Sequence, residues 1–173
     1  MLRPFDRLVL LPLLLLWLLR QPLLMAEKLV LFVCVENACR SLMAEAIFNA
    51  NPPPGWRATS AGTRPAATAN SRTKPMLEER GFSLPDHLPQ LLSNEMMDRA
   101  QVRITMGCLD DASCPAHLKS LELRDWALPD PATLDDAGFR AVRDQIRTRI
   151  EGLRRELVLS DRRAADRRRS GHP

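Results

Sequence analysis

Apolar and polar positions follow two rhythms along this chain. Lys28–Val33, KLVLFV, is a short apolar run rich in Val and Leu, the pattern of a strand buried on both faces of a parallel sheet. Ser41–Asn51 turns to good helix formers that set Met43, Ile47 and Ala50 on one face, and the prolines at 52–54 with Gly55 end it. A second strand is predicted over Trp56–Ser60, closed by Ala61 and Gly62. A helix is predicted over Ala69–Arg80, with Ser71 or Thr73 as cap, Pro75 in its first turn and Gly81 at its end. Ser93 can cap a further helix through Ala100 that turns Met96 and Met97 inward, and Val102–Met106 reads as the third strand. Residues 121–126 are a fourth strand candidate, or a loop leading into Asp130-Pro131. The clearest helix carries Phe139, Val142, Ile146, Ile150, Leu153 and Leu157 at intervals of three and four, with Thr133 and Asp136 in capping-box spacing before it. Strands alternating with helices predict an α/β fold with a parallel sheet, and no internal repeat is visible.

The two ends differ from this pattern. Leu8–Leu19 is apolar but for Pro12 and follows Arg3 and Arg7, as in the n- and h-regions of a signal peptide. Arg20 closes it short of the roughly 20 apolar residues of a spanning helix. Three readings of residues 1–24 stand: a mistaken start with Met25 as the true first residue, a signal or shallow anchor, or a buried segment. Residues 25–159 hold the predicted domain. Residues 160–173 lack apolar periodicity and are expected to be a basic, disordered tail, with at most a weak polyanion contact.

The 173 residues suffice for one domain with a sizeable core. The net charge of +4 is concentrated at the two ends and leaves the middle near neutral, which argues against a nucleic-acid face. Four cysteines, Cys34, Cys39, Cys108 and Cys114, are too few for a disulfide scaffold in a chain with such long apolar segments. They read as redox or metal chemistry in a reducing compartment.

The informative segment joins the first strand to the first helix: Cys34, Val35, Glu36, Asn37, Ala38, Cys39, Arg40, Ser41. Open α/β sheets bind ligands at the carboxyl ends of their strands, and a first helical turn offers free N–H groups and a positive dipole end to a tetrahedral oxyanion. The same groups and a guanidinium stabilise a thiolate. Arg40 can hold two oxygens of the anion bidentately. Ser41 can donate to the thiolate, and Asn37 can brace the loop through its side-chain amide.

This segment resembles the phosphate loop and first helix of the low-molecular-weight protein tyrosine phosphatase superfamily, and within it the arsenate reductases of that fold. Thr59–Gly62, Ile104–Cys108, Cys114-Pro115 and Trp126–Pro131 extend the resemblance from about Lys28 to about Leu157. It implies a three-layer α/β fold with a four-stranded parallel sheet and the phosphate-binding loop after the first strand. It makes Cys34 the nucleophile, Arg40 the oxyanion clamp, Asp130 the general acid, and Glu36, Asn37, Ala38, Cys39 and Ser41 the oxyanion-binding and supporting loop. Glu36 stands where a glycine is frequent, and is compatible with an anion site if it points outward.

Two reactions fit. An arsenate reductase of this fold needs further thiols to attack the Cys34–arsenic adduct, and Cys108 and Cys114 follow the third strand, whose carboxyl end should face Cys34. Cys108 lies one residue beyond the position usual in thioredoxin-coupled relatives, which leaves the order of the relay open. The alternative is a low-molecular-weight tyrosine phosphatase hydrolysing phosphomonoesters through a phosphocysteine. Those enzymes line the cleft with aromatic residues after the Asp-Pro pair, whereas this chain has Ala132 and Thr133 there and no Tyr at all. That favours a small inorganic oxyanion over an aryl ring. A zinc site on Cys34, Cys39, Cys108 and Cys114 or His117, or an unreactive anion-binding module, is a distant alternative that explains neither Arg40 nor Asp130. The cation site of some reductases of this fold would use Asn37, Glu45 and Ser60, but its acidic fourth position aligns near Gln90, so no metal is expected. The expectation is therefore a monomeric, cytoplasmic arsenate reductase with no tightly bound cofactor, served by thioredoxin or by glutathione and glutaredoxin. Anchoring or export through residues 1–24 stays open beside it. His87 and His117 are expected on surface loops.

Overall fold

The computed structural model describes residues 27–107 and 123–171. Four parallel strands form one sheet: β1 (Lys28–Cys34), β2 (Trp56–Gly62), β3 (Ala100–Thr105) and the two-residue β4 (Arg124–Asp125). Their order is β2-β1-β3-β4, with β1 at the centre between β2 and β3. Around them lie α1 (Arg40–Asn49), α2 (Thr73–Glu78), α3 (Asn94–Arg99) and α4 (Asp136–Arg169). This is the three-layer α/β arrangement expected, with the loop that carries the chemistry directly after β1.

The apolar run of β1 is buried because both its faces are covered. Val30, Phe32 and Cys34 join the larger core with Met43, Ile47 and Phe48 of α1, Ile104 of β3 and the Phe139–Leu157 stripe of α4. Leu31 and Val33 face the opposite way, onto Met97, Ala100 and Ala61. Phe32 meets Phe48 edge-on at 6.2 Å between ring centroids and Trp126 at 5.7 Å, which fixes the middle of the sheet against α1 and the loop after β4. In register, Cys34 pairs with Gly62 and Val33 with Thr105, so the carboxyl ends of the three long strands open on the same edge. Ligand chemistry in an open parallel sheet gathers at that edge.

Several boundaries differ from the sequence expectation for identifiable reasons. The helix expected over Ala69–Arg80 starts at Thr73, because Asn70 turns the chain: its side-chain oxygen takes the N–H of Arg72 at 3.0 Å and its carbonyl that of Thr73 at 2.9 Å. Thr133 does not cap α4. It is drawn into a short 3-10 turn, Pro131–Thr133, and Asp135 caps α4 by accepting from Gly138 N–H at 2.8 Å. The expected disordered tail is corrected through residue 169, because α4 runs on to Arg169. Asp161 accepts from the Lys28 ammonium and from Trp56 Nε1–H at 2.8 Å, pinning the helix to the start of the sheet. No Pro or Gly follows until Gly171, and Arg167–Arg169 lie at the negative end of the helix dipole. No helix among the described residues is long and apolar enough to cross a membrane.

Asp161 thus holds the end of α4 by a contact that sequence periodicity does not carry. Burial alone would raise its carboxyl pKa, but the Lys28 and Trp56 hydrogen bonds and the Lys28 charge bring it below the usual value. A depressed carboxyl pKa stabilises the fold above the unfolded-chain value, and that stabilisation is lost as pH falls through the folded value. Asp161→Ala is expected to fray up to about ten residues of α4 at neutral pH, read as a loss of helical ellipticity at 222 nm. The difference from wild type should vanish in acid. Equal ellipticity at pH 7 would mean that the end of α4 stands on propensity alone.

Candidate active site

The site is built where the strand ends and the helix begins. Cys34 is 2% exposed, and its Sγ accepts the backbone N–H of Asn37 at 3.2 Å and lies 3.0 Å from Ser41 Oγ. Asn37 has φ of 50°, a left-handed conformation that Asn adopts more readily than most residues. Its buried side chain is fully used: Nδ2 donates to Ser41 Oγ at 2.8 Å and to Ser60 Oγ at 2.9 Å, and Oδ1 accepts from Gln90 N–H at 2.9 Å. A Cys34 thiolate can only accept, so in that form Ser41 Oγ, which accepts from Asn37, donates its own proton to the sulfur.

The loop backbone is fastened from outside. Carbonyls of Cys34, Val35, Glu36 and Ala38 accept the N–H groups of Thr63, Arg64, Ala66 and Asn70, and Thr73 Oγ1 also donates to Ala38 at 2.8 Å. Gly62 permits this close approach. A β-carbon there would stand 2.6 Å from the Val35 carbonyl oxygen and 2.9 Å from Asn37 N. Glu36 is exposed. Cys39 is buried, and that burial pushes its thiol pKa up to about 12, so it remains protonated and unreactive.

Arg40, the first residue of α1, is 6% exposed. Its Nη1 donates to the carbonyls of Met106 at 2.9 Å and Leu128 at 3.0 Å, and its Nη2 to Asp130 Oδ2 at 3.2 Å. One side of the guanidinium is therefore held by the loops after β3 and β4, and the other faces Asp130. The other oxygen of Asp130 accepts from Ala132 N–H at 3.0 Å, so the carboxylate caps the 3-10 turn that follows it. Cys34, Asn37, Arg40, Ser41 and Asp130, separated by up to 96 positions, are thus brought into one connected site, with Ala38 and Cys39 in its floor. Cys108, Cys114 and His117 lie outside the described residues. Gly107 is the last described residue before them, and a β-carbon added there would stand 3.4 Å from Arg40 Nη1.

Sequence reasoning missed a second arrangement behind the loop. Ser60 donates to Glu45 Oε2 at 2.6 Å, and His87 Nε2 lies 3.0 Å from the same carboxylate oxygen. His87 Nδ1 lies 2.9 Å from the Leu88 carbonyl. Both ring nitrogens therefore face acceptors, a setting satisfied only by the doubly protonated imidazolium. Gln90 does more than leave an acidic position empty, because its side chain donates to the Ser60 carbonyl at 2.7 Å. Among the described residues, no group of three His, Cys, Asp or Glu could hold a metal ion.

Burial alone would lower the His87 pKa, but the Leu88 hydrogen bond and the Glu45 carboxylate outweigh it and raise the value above 6.5. The folded state therefore holds the proton more tightly than the unfolded chain. The resulting stability is complete below about 6.5 and is lost as pH rises through the folded value. Arg57 and Asp86 line the same cavity as His87 and are left in place by a substitution at position 87. His87→Gln is expected to lower the thermal midpoint most at pH 5.5–6 and progressively less at alkaline pH. A pH-independent difference would mean that the imidazole is neutral in the fold.

Comparison with known proteins identifies the family and the fold. The family model described as low molecular weight phosphotyrosine protein phosphatase matches residues 29–163. Arsenate reductase 1 of Staphylococcus epidermidis is 32% identical over 127 residues, covering 73% of this chain and 96% of that protein. A thioredoxin-dependent arsenate reductase of Corynebacterium glutamicum superposes with a TM-score of 0.66 at 30% identity, over 80% of this chain and 65% of that longer one, so this chain spans a little under two thirds of it. The arginine phosphatase YwlE of Geobacillus stearothermophilus gives the same TM-score at 27% identity, over 77% and 94% of the two chains. This chain belongs to the low-molecular-weight phosphotyrosine protein phosphatase family.

Proposed function

We propose that this enzyme reduces arsenate to arsenite through a cysteine–arsenic adduct and a thiol–disulfide relay. The observation that carries the proposal is the Cys34 sulfur, buried at the end of β1 with the Asn37 N–H and the Ser41 hydroxyl directed at it and Arg40 on the same loop. A tetrahedral oxyanion seated on the loop takes Arg40 in place of Asp130, as charge-assisted bidentate pairs do. The Cys34 thiolate forms a sulfur–arsenic bond. The leaving hydroxide departs as water with the proton of Asp130, whose carboxylate is positioned by Ala132 N–H.

Cys108 or Cys114 then attacks Cys34 Sγ. The electron pair of the sulfur–arsenic bond passes to arsenic, which leaves as arsenite, and the two sulfurs are oxidised to a disulfide. The remaining thiol resolves that disulfide, and thioredoxin or a glutathione and glutaredoxin system reduces the last one. Gly107, one residue before Cys108 in the sequence, lies beside Arg40, which supports a relay at this edge. Such chemistry suits a monomer in the reducing cytoplasm, with no tightly bound cofactor.

Phosphomonoester hydrolysis is the second reading, favoured by Asp130, since the same carboxyl can protonate an alkoxide or phenoxide leaving group. Against an aryl substrate stands the turn after Asp130, where Pro131, Ala132 and Thr133 offer no ring to stack on.

Purified protein assayed for arsenate-dependent oxidation of each reductant system, beside aryl-phosphate hydrolysis, separates the two. Arsenate turnover with one system supports the reductase and identifies its donor, whereas aryl-phosphate hydrolysis alone makes the chain a phosphatase. Cys34→Ser is expected to lower either activity by on the order of a thousandfold or more. Cys114→Ser should stop multiple-turnover arsenate reduction and spare aryl-phosphate hydrolysis. Equal loss of both would sink the relay.

A further inference from the structure

Asp130 is presented by a turn, and what fixes that turn is a side chain nearly sixty positions earlier. Arg72, at the N-terminal end of α2, directs both terminal nitrogens of its guanidinium at the residues that follow the acid. Nη1 donates to the Leu134 carbonyl at 2.8 Å and lies 3.4 Å from Asp136 Oδ1. Nη2 donates to the carbonyls of Ala132 at 3.0 Å and Pro131 at 3.3 Å. The guanidinium carbon sits 4.9 Å from the centroid of the buried Phe139 ring, so the fork is held on a rigid face.

The other end of Arg72 is fastened to the nucleophile loop. Its N–H donates to Asn70 Oδ1, and the N–H of Asn70 and the hydroxyl of Thr73 both donate to the Ala38 carbonyl. Arg72 therefore spans from the floor of the thiol loop to the turn that Asp130 caps. This matters because the other tie on Asp130 is temporary. Arg40 holds Asp130 at 3.2 Å but is also the clamp for the anion, and an oxyanion seated on Arg40 competes for that contact. During reaction the carboxyl is then left with Ala132 N–H, and Ala132 is one of the residues whose carbonyl Arg72 holds.

We infer that Arg72 is the positioning residue of the acid: by joining the Ala38 side of the thiol loop to the carbonyls of Pro131, Ala132 and Leu134, it keeps Asp130 aimed at the leaving oxygen once Arg40 is engaged by substrate. The inference rests on Asp130 serving as acid in the proposed reaction. Arg72 touches no reacting atom, so its effect runs entirely through Asp130.

The test is a double-mutant cycle on the full chain with Arg72→Ala, Asp130→Asn and the pair, read with arsenate and with para-nitrophenyl phosphate. Arg72→Ala is expected to lower kcat about tenfold, a part of the hundredfold or more that general acids supply, with KM unchanged within about twofold. In the Asp130→Asn background the same change should cost nothing further. Arg72→Lys keeps a cation but cannot serve both pairs of acceptors. It should fall between wild type and alanine, and it carries the same cycle if Arg72→Ala fails to fold.

Losses that multiply, or a kcat that neither variant moves, would overturn the inference while leaving the reductase reading intact. Hydrolysis without arsenate turnover in the wild type would discard the reductase reading and leave the cycle readable on the aryl phosphate. A wild-type chain inert toward both would overturn both.

Discussion

Asn37 sits at φ of 50°, a conformation that costs a residue with a β-carbon on the order of 1 kcal/mol or more, and its side chain is placed to offset that cost. The amide reaches Ser41, Ser60 and the Gln90 backbone at once, so the loop is tied to α1, β2 and the segment before α3 from a single buried group. The left-handed turn also aims the Asn37 N–H at Cys34 Sγ. Strain in the loop and stabilisation of the thiolate are consequences of the same backbone conformation. Gly62 completes the constraint, since any β-carbon on β2 at that point would displace the Val35 carbonyl and the Asn37 amide.

A thiolate and an incoming oxyanion are both negative, and the structure places a third acidic group, the Glu45 carboxyl, behind the loop, linked to the thiol through Ser60 and Asn37. Glu45 is only 6% exposed and is reached from Asn37 through Ser60. An unpaired carboxylate there would oppose both charges across a medium of low polarity. His87 answers this on the far side of Glu45, where its second nitrogen is held by Leu88 so that the proton is retained. The ion pair keeps the support of the loop close to neutral, and in the proposed reaction it leaves Arg40 as the cation that meets the anion.

What could be read from the sequence was what lies within one element or one loop. The β1 run, the spacing from Cys34 to Ser41 and the α4 stripe are local patterns, and each formed where its residues predicted. The contacts that escaped are long-range and polar. His87 finds Glu45 across 42 positions, and Arg72 finds the Asp130 turn across about sixty. Neither residue departs from the composition of an ordinary surface loop. The end of α4 shows the same limit in another form. Ser160–Arg169 has no apolar face, and it stays helical where Asp161 meets Lys28 and Trp56 from the opposite end of the fold. Thr133 had the right spacing for a cap, but the Asp130 carbonyl accepts its hydroxyl at 2.9 Å, and Asp135 took the capping role.

Polar contacts of this kind share one geometry, in which each side chain assigned to the proposed reaction is aimed by groups from other parts of the chain that are themselves held in place. Cys34 is aimed by Asn37 and Ser41, with Ser60 and Glu45 behind them. Arg40 is aimed by the Met106 and Leu128 carbonyls, which occupy one nitrogen and leave the rest of the fork to the anion. Asp130 is aimed by the turn it caps. Such a layout lets substrate replace one contact, Arg40 to Asp130, without loosening any of the three. In the proposed reaction, binding an oxyanion then costs the exchange of one partly exposed ion pair for a stronger bidentate one, and the site does not have to reorganise as charge develops on the leaving oxygen.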